Sequence, residues 1–223
     1  MRSKLIDAAM RVFAAPGGST RVIDDVIREA NVSRGTFYNY FDSLDEVLSA
    51  IGQELNNQMT TDILPVYDVL IEPWQRAAVA SRLFLLRALL DPQWAGFVTR
   101  VDAWQHNSLV AAYMAKDLEH GKAVGDFTFD RVDAATDFLM GASAHGIQAI
   151  QQGVDLPNHY MDACVRLTLM SLGCTTEKCE AGVTLSVSYL KSWLCGELTS
   201  SNPGWARDMD SEAVQQFLAH TPN

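Results

Sequence analysis

Apolar residues recur at spacings of three and four along nearly the whole chain, and β-branched runs that alternate with polar residues are scarce. That repeat belongs to amphipathic helices rather than strands, so the predicted fold class is all-α. Turn and cap signals divide the pattern. A first helix over 3–14 carries Leu5, Ala9, Val12 and Phe13 on one face and ends at Pro16-Gly17-Gly18. Short helices follow over 22–30 and 34–40. Ser43, with Glu46 three positions on, reads as a capping box that opens a fourth helix, and Pro65 is expected to break it. Further helices are expected over 73–90, 92–101, 103–121 (closed by Gly121 and Gly125), 130–153, 158–172, 177–194 and 211–219, with 199–204 as a loose linker. A chain of 223 residues has room for one large domain or two small ones. No apolar run approaches the ~18–20 residues that cross a bilayer, so no membrane partner is expected. Asp7 and Arg11 interrupt the apolar run at the start, which predicts no signal peptide and a cytoplasmic location.

The segment 20–48, T-R-V-I-D-D-V-I-R-E-A-N-V-S-R-G-T-F-Y-N-Y-F-D-S-L-D-E-V-L, constrains function most. Asp24 and Asp25 suit the positive N-terminal end of the second helix, and Ile23, Val26, Ile27 and Ala30 form its inner face. Asn31 tolerates the left-handed conformation that ends a helix, Val32 can plug the turn, and Ser33 can cap the next helix. Helix, three-residue turn and helix make a helix-turn-helix. Phe37 and Phe41, four apart, face inward together. Arg34, Gly35, Thr36, Tyr38, Asn39 and Tyr40 are then left mostly outside, a donor-rich set with a bare glycine that suits close approach to a DNA major groove. The alternative is that Tyr38 and Tyr40 only pack against neighbouring helices.

This segment resembles the tetracycline-repressor (TetR) family of transcription regulators. The resemblance rests on Phe13 and the glycines after the first helix, Val26-Ile27, V-S-R-G-T-F-Y-N-Y-F from Val32 to Phe41, Asp42-Ser43 and Glu46-Val47-Leu48. It implies a three-helix DNA-binding domain over 1–45, and a helical ligand-binding and dimerising domain over 46–223. It also implies that Arg34, Gly35, Thr36 and Asn39 face the groove, while Tyr38 and Tyr40 touch phosphates or bases. The implied partners are a double-stranded, palindromic DNA operator bound by a homodimer and a small-molecule effector that releases it, most simply for a repressor. Two positions depart from the family's usual pattern. Leu44 stands where a phosphate-contacting lysine is usual, and Val22 and Ile23 stand where threonines are usual. Thr20, Arg21 and the N-terminus of the fourth helix are the candidates to supply the missing donors to the DNA backbone.

Charge divides the chain in the same place. Residues 1–45 hold six basic and six acidic side chains, so the net charge of −10 lies wholly after residue 45. That half disfavours a strongly anionic effector. Trp74, Phe84, Trp94, Trp104, Met114 and Phe138 supply apolar surface for a ligand pocket, and His106 and His145 supply polar anchors. His145 stands out, because a ring amid small residues on a long helix needs a partner if buried. Its neighbours Gly141, Ala142, Ser143, Ala144 and Gly146 permit close helix approach, either at a dimer interface or inside one subunit. Cys164, Cys174, Cys179 and Cys195 form no C-x-x-C, so no metal is expected, and a redox pair of Cys174 with Cys179 stays open. No P-loop, nucleophile-elbow, zincin or dinucleotide motif is present, so neither a cofactor nor an enzyme is predicted. A helical enzyme with a hidden site, and a vestigial regulator with weak DNA binding, are the competing readings.

Overall fold

The computed structural model describes residues 1–14, 22–98, 109–198 and 202–222, and among them every regular element is a helix. In chain order these are α1 (Arg2–Ala14), α2 (Ile23–Ala30), α3 (Arg34–Tyr38), α4 (Leu44–Val69), α5 (Pro73–Leu90), α6 (Pro92–Val98), α7 (Leu109–Val124), α8 (Val132–Gln152), α9 (Pro157–Ser171), α10 (Thr176–Leu194) and α11 (Glu212–Ala219). A 3-10 turn at Gly204–Ala206 precedes α11. No described helix is long and apolar enough to cross a membrane.

α5 is the axis of the molecule. It packs against α4, α6, α7, α8, α9, α10 and α11. Every residue from Arg82 to Ala88 is buried, as expected of a helix with neighbours on all sides. The sequence pattern hides this, because three of its buried residues are arginines. Arg82 is fully buried; its Nε donates to Ser186 Oγ (2.8 Å) and its Nη2 to Asp162 Oδ1 (2.5 Å). Arg87 pairs with Asp62 of α4 and lies over the rings of Trp94 and Trp205, 4.5 and 5.3 Å from their centroids. Arg76 is the third.

α1 packs on α2, α4 and α6. One buried apolar cluster runs from Leu5, Phe37 and Phe41 through Val47 and Ile51 of α4 to Trp94 of α6 and Leu86 of α5. The position 45/46 falls in the first turn of α4, a helix continuous from Leu44 to Val69.

Several boundaries differ from expectation for identifiable reasons. Pro65 does not break α4. A mid-helix proline costs about 3 kcal/mol, but Asp62, one turn earlier, is clamped by Arg87, and Leu70 just beyond is buried. Gly121 lies inside α7 rather than at its end. A Cβ there would come within 2.2 Å of the Phe127 ring, so the glycine serves packing, and the chain turns instead at Gly125, φ +82°. The third helix stops at Tyr38 rather than at 40 because its last turn tightens: Tyr40 N–H donates to Phe37 O (3.0 Å), three residues back. The expected end of the sixth helix, start of the seventh and most of the 199–204 linker lie outside the described residues.

Candidate nucleic-acid interface and regulatory cleft

The helix-turn-helix is built by caps. Asn31 ends α2 in the left-handed region, φ 49°, with its N–H donating to Arg28 O (3.1 Å), and Val32 N–H donates to Ile27 O (3.2 Å). Ser33 Oγ accepts from Thr36 N–H (3.0 Å) and opens α3. Val22 has no side-chain oxygen to cap α2, yet its own N–H donates to Asp25 Oδ2 (3.2 Å). At the next junction Ser43 Oγ accepts from Glu46 N–H (3.1 Å), and Glu46 reaches back to Asp42 N–H (2.6 Å) rather than to the cap residue itself.

These caps hold α3 with one face in and one face out. Phe37 and Phe41 are buried with ring centroids 6.0 Å apart. On the outside, Tyr38 is 47% and Tyr40 42% exposed, and Arg34, Gly35 and Asn39 are exposed as well. Thr36 is half-buried, its hydroxyl 2.8 Å from that of Ser33. A Cβ at Gly35 would meet nothing closer than Ser33 Oγ at 3.8 Å, so the backbone there lies open to an approaching surface. Arg34 is swung onto Asp24 of α2 (2.8 Å), both side chains being mostly exposed; such a surface pair is weak and easily exchanged. Leu44, at the departing position, is half-buried against the core. Thr20 and Arg21 lie outside the described residues.

The C-terminal part holds a cleft among α5, α7 and α8 with an empty volume of about 630 Å³, its open mouth included. Phe84, Met114, Tyr113, Phe127, Leu118 and Leu139 give it apolar walls. Arg76, Ser81, Asp117, Ser143 and Thr168 supply its polar groups. The hydroxyls of Ser81 and Thr168 lie 3.1 Å apart.

Of the residues expected to bind a ligand, Phe84 and Met114 line this cleft. Trp74 is half-buried nearby, between two smaller apolar clusters, and does not line it. Trp94 is buried in the main core beneath Arg87, spent on packing. Phe138 and His145 point outward instead: Phe138 is 61% exposed and the His145 side chain is exposed too, so its ring meets no burial penalty and needs no buried partner. Trp104 and His106 lie outside the described residues. Sequence reasoning passed over Arg76, Ser81, Asp117 and Thr168. A legible signal was the i, i+4, i+8 stripe Arg76, Ala80, Phe84, where a cation and a small residue share a face with an aromatic.

Phe138, Gly141, Ala142 and His145 form one exposed stripe on α8, at i, i+3, i+4 and i+7. Beside it on α9, Leu167 is 63% and Met170 57% exposed, and a surface depression joins them to Phe138 and Ala142. The small residues of α8 therefore divide. Gly146 is buried, and a Cβ there would come within 2.8 Å of Leu85 of α5, whereas Gly141 faces open space.

Cys174 and Cys179 are free thiols. Burial pushes the Cys174 thiol up to about 11, with neighbouring Cys179 adding to the shift, and burial raises Cys179 as well. Among the described residues no group of His, Cys, Asp and Glu is arranged to hold a metal.

Residues 5–51 match the family described as bacterial regulatory proteins, tetR family. Over 93 residues, 41% of its length, the chain is 37% identical to the HTH-type transcriptional regulator SrpR of Pseudomonas putida. Over 93 residues it is 36% identical to the uncharacterized HTH-type transcriptional regulator TtgW, also of Pseudomonas putida. These matches span 41% of SrpR and 65% of TtgW, less than two thirds of either. Among solved structures, RolR in complex with resorcinol shares the fold with a TM-score of 0.64 over 82% of this chain and 92% of that chain, at 25% identity. Residues 5–51 are thus similar to the helix-turn-helix of the tetR family of bacterial regulatory proteins, and the fold shared with RolR extends over most of the remainder.

Proposed function

We propose that the protein is a ligand-responsive transcription regulator, most simply a repressor. It binds a palindromic DNA operator as a homodimer and is released by a small, largely apolar effector. The observation that carries this reading is the two-faced α3: a phenylalanine pair anchored inside, and a donor-bearing surface with an unobstructed glycine outside. Residues 1–45 supply the DNA contacts and 46–223 the effector site and dimer contact, with α4 common to both. Arg34, Gly35, Thr36, Tyr38, Asn39 and Tyr40 meet the groove, and Thr20 and Arg21 meet the adjoining backbone. The cleft beside Phe84 and Met114 takes the effector. RolR, with which this chain shares its fold, was solved in complex with resorcinol, in keeping with the cleft's aromatic walls. The stripe of Phe138, Ala142, Leu167 and Met170 meets its counterpart on a second copy, because monomers rarely leave such clustered apolar residues exposed.

A weak-binding variant of this function is favoured by one observation: Leu44 packs half-buried against the core and offers no phosphate contact. One experiment separates the readings. Duplexes are selected from a randomised pool by the purified protein and compared with scrambled duplexes by fluorescence anisotropy over a salt series. A regulator binds the selected duplex at least ~10³-fold tighter than the scrambled one. Equal affinity for both would mean that DNA recognition has been lost.

A further inference from the structure

Arg76 stands where the cleft meets the end of α4. Its side chain is one-tenth exposed and lines the cleft. Nη1 donates to the carbonyl oxygens of Leu70 (3.0 Å) and Ile71 (2.7 Å), the residues that follow α4. Nε donates to Asp117 Oδ1 (3.1 Å), and Nη2 to His120 Nδ1 (3.3 Å), both on α7. One planar cation thus ties α5 to α7 and to two carbonyls at the C-terminal end of the helix whose other end begins beside α3. Guanidinium geometry makes these bonds interdependent, since the fork cannot turn toward one partner without leaving another.

We propose that Arg76 is a positioning residue that couples cleft occupancy to α4, and that the occupant is an uncharged aromatic hydroxy compound whose O–H donates to Asp117. This rests on the regulator reading above. Asp117 lines the cleft together with Arg76, and the Ser81 and Thr168 hydroxyls line it as well. A hydroxyl both donates and accepts, so it satisfies either group. A carboxylate would meet Asp117 as a like charge in a poorly solvated space. Phe84, Tyr113 and Phe127 favour a ring. An O–H that donates to Asp117 Oδ1 competes with Nε for that oxygen and draws the carboxylate toward the ring, and the guanidinium turns with it. The Leu70 and Ile71 carbonyls then lose their donor, and the end of α4 is released. α4 is a single helix from Leu44 to Val69, so the change is passed to its far end as a rigid-body shift.

The test uses the full chain, a duplex selected as above, and the variants Arg76→Gln, Arg76→Lys and Asp117→Asn. With no ligand added, R76Q and D117N should bind the duplex at least tenfold more weakly than the parent, and backbone amides over 70–76 should exchange faster in both. R76K should stay within threefold of the parent, since an ammonium can still reach the carbonyls. With phenol or resorcinol as probe, the parent's duplex affinity should fall at least tenfold, whereas D117N should not respond. Benzoate should leave the parent unchanged. Duplex affinities of R76Q and D117N within twofold of the parent would overturn the coupling role while leaving the regulator reading intact. A loss of melting temperature in R76K equal to that in R76Q, with equal losses of affinity, would reduce Arg76 to a structural residue. If R76Q does not fold, D117N and R76K decide the question. Release by benzoate, or by neither hydroxy probe, would overturn the ligand class. A parent that binds no duplex overturns the regulator reading and the coupling with it.

Discussion

Tyr38 and Phe41 sit three residues apart at the end of α3 and do opposite work. Tyr38 exposes almost half its surface, and Phe41 almost none. Tyr38→Ala is therefore expected to weaken binding to the selected duplex by ~1–3 kcal/mol at unchanged melting temperature. Phe41→Ala should destabilise the fold by ~3–5 kcal/mol. Equal melting losses in the two variants would contradict the assignment of faces. The cysteines give a second expectation at this scale. A thiol near 11 is about one thousandth thiolate at pH 8, so Cys174 should alkylate far more slowly than exposed Cys195. Its rate should climb about tenfold per pH unit up to pH 10. The sign for stability follows from linkage. A thiol raised above its unfolded value near 9 favours the folded state below pH 9, and that contribution disappears as pH rises through 11. Melting temperature should fall across this window, and less so in Cys174→Ala. Much at this scale was legible. Asn31, Ser33 and Ser43 act on backbone within four residues, and the Phe37–Phe41 spacing needs only the helical repeat. What was not legible is where Phe138 and His145 point, because α8 carries small residues on both its inward and outward faces.

At the scale of elements, α5 shows why its role could not be read in advance. Arg76, Arg82 and Arg87 look like the polar side of an amphipathic helix. They are buried because Asp117, Asp162 and Asp62 reach them from α7, α9 and α4, 25 to 80 residues away. Periodicity carries no information about such partners. The C-terminal segment joins the same scheme. Trp205 Nε1 donates to Asp62 (3.2 Å), His220 Nε2 lies 2.9 Å from Asp162 Oδ2, and Lys191 Nζ donates to His220 O (2.5 Å), strapping the segment across α4, α9 and α10. Burial raises the Asp62 carboxyl and lowers the Arg87 guanidinium, each against the pull of its partner. Desolvation therefore opposes this pair more than attraction rewards it. Asp62→Ala, which takes the Asp62 carboxylate away from the buried Arg87 cation, should cost ~3–5 kcal/mol in urea unfolding. The double variant Asp62→Leu, Arg87→Met should recover most of that loss. If the double variant proves as unstable as the single one, the pair contributes more than its desolvation cost.

At the scale of the whole molecule, one helix-turn-helix offers too few base contacts for a unique site, so the proposed regulator is expected to place two about one DNA turn or slightly more apart, ~34–40 Å. The dimer contact that sets this spacing is expected at the α8–α9 face. Phe138 is the residue to test, because it is the most exposed apolar side chain on the α8 stripe and stands beside Leu167 and Met170. A charge there should have little effect within one subunit, since the side chain already faces water. At an interface it would be buried against its own symmetry copy, because a twofold contact repeats every substitution. Phe138→Asp is therefore expected to keep the parent's helical content and melt cooperatively, yet sediment as a monomer at micromolar concentration where the parent sediments as a dimer. Its affinity for the palindromic duplex should fall at least ~100-fold, because a second half-site bound through a linked partner adds 10²–10⁴ in effective affinity. Val124→Asp, an equally drastic change at an exposed apolar residue at the end of α7, serves as the control and should alter neither property. Should Phe138→Asp remain dimeric with full duplex affinity, the contact lies elsewhere and the exposed stripe must be explained by another partner.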